Sequence, residues 1–139
     1  MCFAIHDLCL HPKYYAPLRK EVESVGWDAF SKSQGNGFPL LDSFMKESAR
    51  LTPVESVSTR RKALQPFSFS DGMMVPAGEW VCTAARGMVR TETYCSNPEE
   101  FHGFRFAEPG ILESDEYSAK PGFTNTADWQ IWGTGRCAW

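Results

Sequence analysis

Residues 38–51 read FPLLDSFMKESARL, and the reading of this stretch decides the fold. Leu40, Leu41, Phe44, Met45 and Leu51 recur at helical spacing and make one apolar stripe, which Pro53 brings to an end. Glu47 and Arg50 lie three residues apart, so carboxylate and guanidinium share a helix face and can pair. Alone, such a pair is an ordinary solvated contact of little energetic weight. Here Phe44, Met45 and Leu51 surround it with apolar residues. A buried Glu–Arg pair leaves guanidinium donors open and asks for another partner.

One candidate partner lies downstream in PEEFHGFRF, residues 98–106, where Arg105 stands among three phenylalanines in a segment otherwise made of turns. Its plain reading is an arginine snorkelling out of a small aromatic cluster. The sharper one has Arg105 reaching back to Glu47, closing a three-member charge network that pins the irregular segment to the helix. The last stretch, WGTGRCAW at 132–139, carries Gly133 and Gly135, which permit close backbone approach, so a flat ligand can lie against the loop. It fails as a phosphate loop, because no Lys-Ser/Thr pair and no helix follow the glycines.

The remaining chain is organised around these three stretches. Pro12 suits a first helical turn, and KYYAPLRKEVESVG places Tyr15, Leu18, Val22 and Val25 on a helix ending at Gly26, with Pro17 expected to shorten or bend it. SKSQGNG is a loop. After Pro53, VESVSTRRKAL alternates as a strand, and FSFSDGMMVPAGEWVCTA reads as two strands around an Asp71-Gly72 turn. GMVRTETY is expected as a short helix. From Ser96 onward turns dominate, a long irregular stretch of the kind that is functional, disordered or packed against something outside the chain. The phenylalanines 101, 104 and 106 are expected to face partners outside this chain.

Bulk properties narrow the function. The 139 residues are one domain's worth, 42% hydrophobic and 22% charged, with a net charge of -3 and no repeat. No basic stripe is present to neutralise nucleic-acid phosphates, and no apolar run approaches the ~20 residues needed to span a bilayer. The opening MCFAIHDLCLHP lacks the basic start of a signal peptide and begins as though inside a helix. Five cysteines without C-x-x-C spacing argue for free thiols in a reducing compartment, and His6, His11 and His102 form no zinc pattern with them.

Singly these motifs are weak; their order is not. A helical E-x-x-R, a β-hairpin, N-P-E-E-F-x-G-F-R-F and W-G-x-G-R, in that sequence and at these separations, resemble the C-terminal part of a cytochrome P-450. The resemblance runs from His11 to the last residue and is strongest to filamentous-fungal members that oxidise terpenoid, alkaloid or polyketide scaffolds. It implies an α+β fold of helices, a small antiparallel hairpin or sheet and a long irregular haem-loop region, with residues 1–139 forming a single partial domain.

The resemblance also implies roles. Glu47, Arg50 and Arg105 match the family's buried structural triad. Arg60, with Arg61 adjacent, matches the basic position that meets a haem propionate, and Arg136 is a second such candidate. Trp132, Gly133 and Gly135 match the haem loop. Val54, Ser56 and Val57 fall in the stretch that lines the substrate pocket, where Glu55 is expected to turn away. The implied chemistry is haem-thiolate monooxygenation of a small apolar substrate, with electrons from a flavoprotein reductase. No nucleic-acid partner is implied. The intact parent belongs at the endoplasmic-reticulum membrane, whereas the chain as given lacks a membrane segment and is expected in the cytoplasm.

The haem loop departs from the family pattern. The position of the axial thiolate falls on Trp139, which cannot ligate iron, so no metal ligand and no catalytic residue is assigned. Cys137 lies two residues early and is disfavoured as a substitute, because that offset moves the sulfur by several ångströms. The family's oxygen-activating helix is expected to be missing, together with the region after the loop. Three readings follow: a truncated, inactive gene remnant; part of a longer active product; or a small non-catalytic α+β binding module.

Overall fold

A computed structural model describes residues 2–32, 37–57 and 60–112. Helix α1 spans Cys2–Leu10, a 3-10 turn covers Pro12–Tyr14, α2 spans Tyr15–Lys32 and α3 spans Pro39–Leu51. Four short strands follow: β1 Arg61–Lys62, β2 Phe67–Ser68, β3 Met74–Val75 and β4 Trp80–Val81, then a single-turn helix α4, Ala85–Met88. Helices and antiparallel strand pairs occupy separate parts of the chain, as the α+β expectation requires.

Pro12 opens the 3-10 turn, where its missing N–H costs nothing. Pro17 sits in the first turn of α2 for the same reason, and the helix continues through it. The break comes at Gly26, whose φ of 73° leaves the helical region as the sequence predicted. A further helical segment to Lys32 follows the break and takes in Ser31 and Lys32, which the sequence reading had assigned to loop. There Phe30 stacks toward Phe38, their ring centroids 5.4 Å apart.

The strands are shorter than their alternation suggested. Among the described residues of 54–64 only Arg61 and Lys62 are strand, paired with Val81 and Trp80. The Asp71-Gly72 hairpin is present: Phe67 pairs with Val75 and Ser68 with Met74, Gly72 has φ 88°, and Asp71 Oδ1 accepts the Met73 N–H at 2.9 Å. The second arm, however, is two strands rather than one. Pro76 has no N–H to continue the ladder, Gly78 turns with φ 90°, and β4 departs to pair with β1. The helix expected over 87–94 instead lies at Ala85–Met88, with Thr91 Oγ1 closing it on the Met88 carbonyl at 3.0 Å. Turns occupy most of 96–112, as expected.

The core is Ala4, Tyr14, Leu18, Leu40 and Phe44, with Phe101 and Phe104 packed against it. For Phe101 and Phe104 this corrects the expectation that the phenylalanines face outside partners. Tyr14 lies 5.6 Å from Phe44 and 4.9 Å from Phe104, edge to face, and Phe101 stacks on His11 at 4.5 Å. Gly103 makes this approach possible: a Cβ there would stand 2.7 Å from Phe44 Cδ2 and 3.0 Å from Tyr14 Cε1. α1 docks on α3 through Ser48 Oγ, which donates to Asp7 Oδ2 at 2.6 Å.

The buried Glu47 centre

Helical spacing brings Glu47 and Arg50 to one face of α3, and both are 0% exposed. Arg50 Nε donates to Glu47 Oε2 at 2.8 Å and Arg50 Nη2 to Oε1 at 2.9 Å, a two-pronged pair. The guanidinium donors left over go to backbone. Nη1 donates to the carbonyls of Val89 (3.1 Å) and Pro98 (2.5 Å), and Nη2 to that of Glu100 (3.3 Å).

Arg105 enters from the other side. Its Nε donates to both Glu47 oxygens at 3.1 Å, its Nη1 to the Ser96 carbonyl at 2.5 Å, and its Nη2 to those of Asn97 (3.2 Å) and Glu100 (3.0 Å). The His102 N–H adds a bond of 2.9 Å to Glu47 Oε1. One carboxylate therefore faces two guanidiniums and one backbone donor. Burial alone would raise the Glu47 pKa, but Arg50, the His102 N–H and Arg105 together hold it below the ordinary carboxylate value. Burial likewise opposes the charge on Arg50, and Glu47 outweighs it.

A second attachment lies one turn earlier on α3. Ser43 Oγ donates to the Gly103 carbonyl at 3.0 Å and accepts the Phe106 N–H at 2.9 Å. A single hydroxyl thus ties both arms of the FHGFRF turn to the helix. The sequence reading did not single out Ser43 or Gly103, because each acts through a long-range backbone contact that no local pattern announces. Nor did it find Glu21 or Arg90. Pro39 after Phe38, which has no capping side chain, is the signal that could have pointed to a remote acceptor.

The other predicted positions do not join this centre. Arg60 and Arg61 are exposed at β1, Arg61 Nη1 lying 3.4 Å from the Arg60 carbonyl. Two exposed guanidiniums have the chemistry to receive a carboxylate group such as a haem propionate. Val54, Glu55, Ser56 and Val57 are all exposed, so Glu55 is not distinguished from its neighbours; the Ser56 carbonyl accepts the Arg86 N–H at 3.1 Å. Trp132, Gly133, Gly135, Arg136, Cys137 and Trp139 lie outside the described residues. Among the described residues no group of His, Cys, Asp and Glu is placed to hold a metal ion, and no helix is long and apolar enough to cross a membrane.

Comparison with known proteins supplies the context. A family model described as Cytochrome P450 matches residues 1–121. Ent-kaurene oxidase P450-4 of Gibberella fujikuroi is 37% identical over 133 residues, 91% of this chain and 26% of that protein. Cytochrome P450 monooxygenase janP of Penicillium janthinellum is 31% identical over 123 residues, 87% of this chain and 24% of that protein. A zebrafish cytochrome P450 solved with abiraterone superposes with a TM-score of 0.71 at 23% identity, over 98% of this chain and 30% of that one. The chain thus spans about a quarter of the length of the curated relatives it matches.

Proposed function

The chain belongs to the cytochrome P450 family, and from that premise we propose that it is part of a fungal haem-thiolate monooxygenase of secondary metabolism. Its substrate is then a small apolar molecule of terpenoid, alkaloid or polyketide type, and its electrons come from a flavoprotein reductase. The observation that carries this reading is the buried Glu47–Arg50–Arg105 network fastening the irregular segment 96–105 to α3. The fungal relatives, an ent-kaurene oxidase among them, support the biological setting.

Bound haem supplies the oxidation itself, placing one oxygen atom in the substrate and the other in water. The residues of this chain hold and orient. Arg60 and Arg61 offer guanidinium forks to the propionates, with Arg136 as a further donor. Gly133 and Gly135, beside Trp132, would let the backbone come close to the cofactor. Val54, Ser56 and Val57 contribute to the substrate-facing wall. Glu47, Arg50 and Arg105 touch no reactant in this reading; they keep the segment leading to the haem loop in register.

The monooxygenase activity is proposed for a polypeptide of the relatives' length. In the 139 residues the thiolate position falls on Trp139, and Cys137 stands two residues early.

Haem titration followed by the reduced, carbon-monoxide difference spectrum tests this. The 139-residue chain is expected to bind haem weakly through Arg60 and Arg61, with affinity reduced in the Arg60→Ala, Arg61→Ala double variant, and to give no thiolate-type Soret band. A thiolate band abolished by Cys137→Ser would move the ligand to Cys137. Haem affinity untouched by the double variant would remove both arginines from the cofactor site.

A further inference from the structure

Both ends of α3 are closed by charged side chains from outside the helix. At the N-terminus local residues cannot do this: Phe38, in the cap position, makes no side-chain cap, and Pro39 opens the helix without an N–H. The orphan N–H groups of Leu40 and Leu41 donate instead to Glu21 Oε1 (2.7 Å) and Oε2 (2.9 Å), from the middle of α2. The next donor, the Asp42 N–H, already has the Phe38 carbonyl at 2.8 Å. Glu21 is 0% exposed, so its two oxygens are committed to this one helix end.

At the C-terminus, Arg90 Nη2 donates to the carbonyl of Leu51, the last helical residue, at 2.6 Å, while Nη1 pairs with Glu99 at 2.9 Å. A carboxylate stands at the positive end of the helix dipole and a guanidinium at the negative end, each in the favourable sense. Glu47 lies roughly two turns beyond Leu40, on the same face. Where α3 begins and ends therefore sets where Glu47 meets the His102 N–H and Arg105.

We propose that Glu21 and Arg90 are positioning residues, clamping α3 at its two ends and so placing Glu47 against segment 96–105. This inference concerns the chain's own packing and stands whether or not haem binds. Asp42 is the charged neighbour that repels the Glu21 carboxylate, and it is itself paired with Lys46 Nζ at 2.9 Å.

The test is residue-resolved amide hydrogen exchange on the 139-residue chain at pH 7. Glu21→Gln keeps the shape but removes the charge and one acceptor; Arg90→Met keeps the stem and removes the donors. Each is expected to speed exchange at His102, the donor to Glu47, by about five- to tenfold, the size of a lost cap. The reference is Leu18→Ala, which loosens the core and removes no cap hydrogen bond. Arg90→Lys, which keeps the charge and a donor nitrogen but loses the fork, is expected to restore part of the protection. His102 exchange that rises no more in the cap variants than in Leu18→Ala at matched global stability would overturn the proposal. The wild type provides a second measure should a variant fail to fold. Leu40 and Leu41 amide shifts are expected to follow the Glu21 carboxyl carbon through its titration; amides that follow Asp42, or do not move, also overturn the proposal.

Discussion

Arg105 and Glu47, 58 residues apart in the chain, share two hydrogen bonds of 3.1 Å through the single Nε of the arginine. The contact joins a regular helix to a segment with no regular structure of its own. It gives that segment a fixed address on α3.

Removing the carboxylate leaves two guanidiniums facing each other with no anion between them. Glu47→Ala is therefore expected to cost about 3–5 kcal/mol, the range for an orphaned buried charge. Arg105→Lys keeps a positive charge but loses the fork that reaches three carbonyls, and a smaller loss of about 1–2 kcal/mol is expected. Urea unfolding of the two variants checks both the sizes and their order.

Gly103 and Gly110 make a matched pair for backbone and space. At Gly103 a Cβ would meet Phe44 and Tyr14 at 2.7–3.0 Å, whereas at Gly110, with φ 84°, nothing lies within 4 Å. Gly103→Ala is expected to overpack the aromatic core and cost about 1–3 kcal/mol. Gly110→Ala pays only left-handed backbone strain, about 1 kcal/mol. Near-ultraviolet circular dichroism should change in the first variant and not in the second.

Two buried carboxylates give opposite pH slopes. Glu47 titrates below its ordinary 4.5 in the fold, so its stabilisation is present above that value and is lost as pH falls through the lowered folded pKa. Glu21 titrates above 4.5, because burial outweighs its bonds from Leu40 and Leu41 and Asp42 adds repulsion. The folded chain then holds a proton that the unfolded chain has released, and stability falls as pH rises from 4.5 through the raised folded pKa. Glu21→Gln should flatten the limb above 4.5 and leave the acid limb, as followed by urea midpoints across pH.

The strand region carries an apolar surface. Leu64 is 93% exposed, Met74 67% and Trp80 64%, against a buried core assembled on the helices. Reversible self-association is expected, weakened by the double substitution Leu64→Lys, Met74→Lys with little change in thermal midpoint. Sedimentation velocity over a concentration series measures it; a monomer at all concentrations would contradict the expectation.

What the sequence made legible followed from distance along the chain. The stripe from Leu40 to Leu51, the Glu47–Arg50 spacing and the Asp71-Gly72 turn are local, so periodicity and turn chemistry reported them directly. Arg105 was legible because an arginine among phenylalanines needs a polar destination. Glu21 was not: its surroundings, LRKEVES, look like any solvated helix face, and its burial depends on a helix whose Leu40 N–H, nineteen residues later, it accepts. The second hairpin arm failed for a similar reason, since alternation cannot tell that Trp80 and Val81 leave β2 to pair with Arg61 and Lys62.

Arg50 and Arg105 recognise the stretch from Val89 to Glu100 by its carbonyl oxygens, a group that every residue carries alike. Side-chain identity at Ser96 and Glu100 is therefore loosely constrained, and a scan of substitutions there should be tolerated. Asn97 is the exception, because its φ of 47° favours Asn or Gly. Such a segment can vary its composition widely while its route through space stays fixed, and two arginines elsewhere in the chain act as its template.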